Sequence, residues 1–161
     1  MNNFDTSKGA VERAFRWYQG ATRAYEDERW DDVIYSLQMS VEQALKAILI
    51  LFGIEYPKKH DISTVYVDLK QKQIPEWFKE KIDNQVDVLK DLIKLRGKAS
   101  YGYVDGLKKD DFKDEASNFK DPVKDIIEDC NKLIIEFSKK KFRKITIMIL
   151  INEFLKFSNS P

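Results

Sequence analysis

Cysteine and histidine occur once each, as Cys130 and His60, in a chain of 161 residues. One thiol cannot close an internal disulfide, and one thiol with one imidazole cannot build a His/Cys zinc site. No metal and no cofactor is therefore expected. Proline and glycine are scarce too, with four and six residues, too few for the many turns of an all-β fold. An excess of one charge is also missing. Lys and Arg number 28 against 27 Asp and Glu, a net charge of +1. No overall field draws such a protein to nucleic acid or a membrane, so any anion site must be local. No apolar run approaches 18 residues, and no basic-then-apolar leader opens the chain. A soluble, cytoplasmic protein without membrane association is expected. No glycine-rich phosphate loop, pair of catalytic carboxylates or serine–histidine arrangement stands out.

What the chain does contain is helical periodicity. A hydrophobic content of 43% beside 34% charged residues suits one soluble helical domain with a real core. Val11, Ala14, Phe15, Tyr18, Ala21 and Tyr25 form one stripe, with Ser7 as its expected cap. Trp30, Val33, Ile34, Leu37, Val41, Ala44, Leu45, Ile48 and Phe52 form a second, ending at Gly53. Its apolar face widens from Ala47 to Phe52, as at a helix end buried all round. Asp61 can cap a short third helix carrying Ile62, Val65, Tyr66 and Leu69. Pro75 suits the first turn of a fourth, with Phe78, Ile82, Val86, Leu89, Leu92 and Ile93 on its face. A glycine-punctuated loop is expected from Gly97 to Gly106. Asp121 and Pro122 then read as cap and first-turn proline of a last helix through Val123, Ile126, Ile127, Cys130, Leu133, Ile134 and Phe137. The pattern predicts an all-α protein, a four- or five-helix up-and-down bundle with short connections.

The chain divides at its end into a bundle, 1–141, and a basic and apolar extension, 142–161. Lys139, Lys140, Lys141, Arg143 and Lys144 precede Ile145-Thr-Ile-Met-Ile-Leu-Ile151, which is too short to span a bilayer. The segment reads as a last helix packing on the bundle or on a partner subunit. Its β-branched residues also suit a strand in an exposed or exchanged segment. The basic cluster reads as a solvated turn before it reads as an RNA site.

The chemistry-bearing candidates gather in Arg96-Gly-Lys-Ala-Ser-Tyr101-Gly-Tyr103. Arg96 suits a helix C-terminus by its charge, or an anion. Lys98 adds a second cation. Tyr101 and Tyr103 either cover the end of the bundle or offer rings to a base. His60 stands just before a helix cap and is expected to orient that turn. Glu42 and Lys46, spaced i,i+4, form a surface pair, or Glu42 faces the bundle near Arg96. Cys130 reads as core, and Trp17, Trp30 and Trp77 as packing.

Ser40-Val-Glu-Gln-Ala-Leu-Lys-Ala47, then Gly53, then Pro57-Lys-Lys-His-Asp-Ile62 resembles the HEPN family (higher eukaryotes and prokaryotes nucleotide-binding domain). The resemblance runs from about residue 8 to residue 141 and implies a helical bundle that pairs as a homodimer. Active members of the family carry R-x4-6-H, with both subunits' side chains facing one cleft. Arg96 matches that arginine, and Tyr101 stands where the histidine would be. An imidazole with pKa near ~6.5 exchanges protons with a ribose hydroxyl at neutral pH, whereas a phenol near ~10 is a poor base there. Tyr103 matches the tyrosine of the longer R-x4-H-x-Y form, which a partner minimal nucleotidyltransferase adenylylates in toxin–antitoxin pairs. The resemblance thus implies a dimeric, non-catalytic module binding nucleotide, RNA or a partner around Arg96, Lys98, Tyr101 and Tyr103, with Glu42 nearby. Its alternative is a toxin-type, metal-independent endoribonuclease in which Arg96 and Tyr101 would be catalytic.

Overall fold

Asn2 starts the first helix: its side-chain oxygen accepts the Asp5 N–H at 3.0 Å, satisfying one of the orphan donors of a helix start. Helix α1 follows over Asn3–Glu26. Ser7 lies buried inside this helix and is not its cap. The computed structural model describes the backbone of residues 2–158, with side chains through Lys140 and at Arg143, Thr146, Ile147 and Met148. Helix α1 stops in a reversed turn: Glu28 takes φ 55°, and the Arg29 N–H reaches back to the Ala24 carbonyl at 2.8 Å. That closure usually falls to glycine.

Helix α2, Trp30–Leu51, returns along α1 as the central element. Thirteen of its 22 residues are buried, because it packs against α1, α5 and α6 at once. Ser40 fixes its register on α1 by donating to the Ala14 carbonyl at 2.7 Å. Ala47, Ile48 and Leu49 are fully buried, while Leu51 and Phe52 are only partly so, so the wide apolar end is covered in part. Gly53, at φ 65°, closes the helix with the Ile54 N–H on the Leu49 carbonyl.

Asp61 then accepts from both the N–H and the hydroxyl of Ser63, at 3.0 and 2.6 Å. These bonds hold its carboxyl below the usual range just before helix α3, Ser63–Val67, whose cap position is Ile62 rather than Asp61. The fourth helix expected from Pro75 onward is two. Helix α4 is a single turn, Glu76–Lys79, and α5 begins afresh at Ile82–Tyr101. Phe78 and Ile82 are both buried, so the apolar spacing runs unbroken through a backbone reset that periodicity cannot register.

Two further boundaries differ from the sequence reading. Gly97 does not end α5, which continues to Tyr101; a glycine costs an exposed helix about 1 kcal/mol without stopping it. The chain leaves through a 3-10 turn, Gly102–Asp105, and reverses at Gly106, φ 81°. Leu107 folds back so closely that a Cβ on residue 102 would lie 2.6 Å from its Cδ1. Pro122 does not start the last helix. It sits inside α6, which runs Lys113–Ser158. The ladder bond that proline forfeits is offset by the buried face of Ala116, Val123, Ile126, Ile127 and Cys130.

Helix α6 crosses position 142 without a break. Residues 145–151 are helical rather than extended, and the basic cluster with exposed Lys139, Lys140 and Arg143 is helix rather than turn. What the side chains of 149–158 pack on, and residues 159–161, lie outside the described residues. No helix among the described residues is long and apolar enough to cross a membrane. Among the described residues the architecture is all-α, with four long α-helices and two short ones.

Candidate functional site

Along α2, Tyr35, Gln38, Glu42 and Lys46 fall at i, i+3, i+7 and i+11, a polar stripe on a helix that is otherwise core. Gln38 and Glu42 are buried, at 0% and 3% exposure. A buried carboxylate must be paired, and Glu42 is: Lys46 Nζ donates to Oε1 at 2.6 Å, and Gln38 Nε2 to Oε2 at 2.9 Å. His60 Nδ1 meets the same Oε2 at 2.7 Å. Burial pushes the Glu42 carboxyl up, and the bonds from Lys46, Gln38 and His60 outweigh it, leaving the group below its usual range. Lys46 also lies over the Tyr56 ring, 5.4 Å from its centre.

The Gln38 amide is thereby oriented. A carboxylate only accepts and a guanidinium only donates, so the nitrogen faces Glu42 and the oxygen faces Arg96. Arg96 Nη1 donates to Gln38 Oε1 at 3.0 Å, and Nη2 to the Tyr35 hydroxyl at 3.4 Å. The guanidinium carbon stands 4.6 Å from the centre of the Tyr35 ring, a cation–π contact. Trp17 of α1 meets that ring edge-on, with centres 6.2 Å apart. Three hydrogen bonds therefore join Arg96 to His60 through Gln38 and Glu42, and an aromatic relay joins it to α1.

The sequence candidates fall into two groups. Arg96 and Glu42 are brought together through Gln38, so Glu42 faces the bundle, and Lys46 and the half-exposed His60, each bonded to Glu42, belong to the same network. His60 does more than orient a turn, since it ties the segment before α3 to α2. Lys98, Tyr101 and Tyr103 lie elsewhere: Lys98 is exposed on α5, and the two tyrosines are 69% and 72% exposed at the end of that helix and in the turn beyond. Tyr101 follows Arg96 by five residues, roughly 140° around a helix, so the two share no face within one protomer. The phenol that meets Arg96 is Tyr35.

Tyr35, Gln38, Trp17 and the cations near Trp17 were missed in the sequence. The signal for the first two was the polar stripe on α2, masked by counting only apolar positions. Arg13, Arg16 and Trp17, at i, i+3 and i+4 on α1, line a cavity of about 200 Å³. A larger cavity of about 480 Å³ lies against Glu136, Lys139, Lys140 and Arg143 of α6, away from Arg96 and with no aromatic ring among those residues. Cys130 is buried and Tyr66 donates to Gln85 at 2.8 Å; both are core. Trp30 is buried, and Trp77 packs edge-on against Phe78.

Three long helices packed on a central one, with a buried polar seam ending at an arginine, define an α-helical bundle. The HEPN domain model matches residues 8–140, and the chain belongs to the HEPN family. No curated protein and no solved structure gives a match.

Proposed function

We propose that the protein is a homodimeric nucleotide- or RNA-binding module in which Arg96 holds phosphate and no cleavage follows. The observation that carries this reading is the preset guanidinium. Gln38 and Tyr35 fix its plane while using two of its five N–H donors, so donors remain for a phosphate without an ordering cost. Proton transfer is the missing part: where active relatives of the motif place histidine, this chain has Tyr101, exposed and off the Arg96 face. The dimer reading draws on the exposed apolar residues at the end of α5 and beyond it, Tyr101, Tyr103, Val104 and Leu107, a patch suited to an isologous partner.

Light scattering at tens of micromolar should give twice 19.0 kDa; a monomer would remove the dimer from the reading. Single-stranded RNA incubated with the purified protein at pH 7 without metal should stay intact while still being retained on it. Cleavage that disappears in Arg96→Ala would refute the non-catalytic reading. It would favour the second one, a metal-independent endoribonuclease of a toxin–antitoxin pair. One feature supports that alternative: Tyr103 is 72% exposed, open to adenylylation by a partner minimal nucleotidyltransferase.

A further inference from the structure

Arg96 is one end of a longer surface. From it the Tyr35 ring leads to Trp17, and Trp17 is the wall of the cavity whose other sides are Arg13 and Arg16. Three helices contribute: α5 the first cation, α2 the ring beneath it, α1 the second ring and two more cations. Arg13 and Arg16 are exposed, and Trp17 is half-buried, so part of the indole is within reach of a ligand. The Tyr35 ring is already engaged by Arg96, and of the two rings Trp17 is the one that lines the cavity. In a chain of net charge +1, three arginines around two aromatic rings are a local concentration that composition does not foretell.

Phosphate alone would need only the arginines, and a base alone only the indole. Cations interleaved with a ring fit a ligand in which phosphates and bases alternate. We infer that the Arg13–Arg16–Trp17 cavity is a base-stacking subsite continuous with Arg96, and that the ligand is a single-stranded oligonucleotide rather than a lone nucleotide. One base lies on Trp17, its flanking phosphates meet Arg13 and Arg16, and a further phosphate meets Arg96. This rests on the phosphate-binding reading of Arg96 and extends it to a second element.

The test is a titration of the full-length protein with a labelled hexa-adenylate RNA and with AMP, over a range of salt, in wild type, Trp17→Ala, Trp17→Phe, the double variant Arg13→Ala/Arg16→Ala, and Arg96→Ala. Circular dichroism confirms that each variant is folded. Trp17→Ala should weaken hexa-adenylate binding by roughly 10-fold or more, within the range for loss of one stacked base, and Trp17→Phe should restore most of it. Removing both α1 arginines should flatten the logarithmic salt slope of hexa-adenylate binding by about 1.4, at ~0.7 per phosphate contact on a single strand, and AMP, with its single phosphate, should bind the wild type more weakly than hexa-adenylate. Hexa-adenylate binding that is lost in Arg96→Ala but indifferent to Trp17 and to the α1 arginines would overturn this inference and leave the Arg96 reading standing. Binding that depends on α1 and ignores Arg96→Ala would support the subsite and overturn the reading it was built on. No binding of either probe to the wild type would overturn both.

Discussion

Glu42→Gln isolates the part of the site that is built before any ligand arrives. The carboxylate receives three donors, from Lys46, Gln38 and His60, at a position 3% exposed. An amide has one acceptor oxygen, so its N–H2 must face either Lys46 or the Gln38–His60 pair, donor against donor. Lys46 would also keep its charge, with a side chain only 14% exposed, and lose its partner. Breaking a buried pair in this way costs about 3 kcal/mol, the low end of the usual range because Lys46 retains some access to water. For a chain of this length that lowers Tm by roughly 6–12 °C. The pH dependence supplies a second check. The folded-state pKa of Glu42 lies below its unfolded value near ~4.3, so the stabilisation is fully present above that pH. It is lost as pH falls through the folded-state pKa. Urea unfolding followed at 222 nm should show the full gap between wild type and Glu42→Gln at pH 7, with narrowing only below about pH 4.3. A gap under ~1 kcal/mol at pH 7, the scale of an exposed pair, would refute the reasoning. So would a gap that stays constant from pH 7 to pH 3. The same variant frees the Gln38 amide to turn over, so it should also weaken ligand binding at Arg96.

Gly97→Ala should raise stability by roughly 0.5–1 kcal/mol, because α5 runs through this site and a Cβ there meets nothing; thermal melts that show a loss would restore the loop. Cys130 is fully buried and its thiol is pushed far up by burial, so a thiol reagent at pH 8 should label it only after unfolding, and rapid native labelling would contradict its place in the core.

Periodicity carried most of the fold. The stripes on α1, α2 and α5 and the last helix through Phe137 were legible because each faces one shared core, and a buried face imposes its spacing on the sequence. Helix ends were not legible to the same degree. Glycine and proline were read as punctuation at Gly97 and Pro122, yet packing on both sides carried the helices across them. Glu28 closes α1 in a conformation that favours glycine, so that turn left no signature. The site divides along the same line. Arg96 and Glu42 stand in motifs and could be picked out, whereas their connection runs through Gln38 and Tyr35, which belong to no motif and matter only because α2 and α5 lie side by side. Pairing Arg96 with Tyr101 followed from sequence distance. Its partner, Tyr35, is 61 residues away.

In the proposed role, Arg96 binds phosphate as a preset plane rather than as a charge. Arg96→Lys separates the two, since lysine keeps the charge but has no planar fork to lie on Tyr35 and reach Gln38. Calorimetric titration of a short single-stranded RNA at ~0.1 M salt, near a ~10 Å Debye length, should show Kd rising by about 10-fold in Arg96→Lys, the effect of one lost charge-assisted bond, with the salt slope nearly unchanged. Wild-type affinity retained in Arg96→Lys would contradict the account.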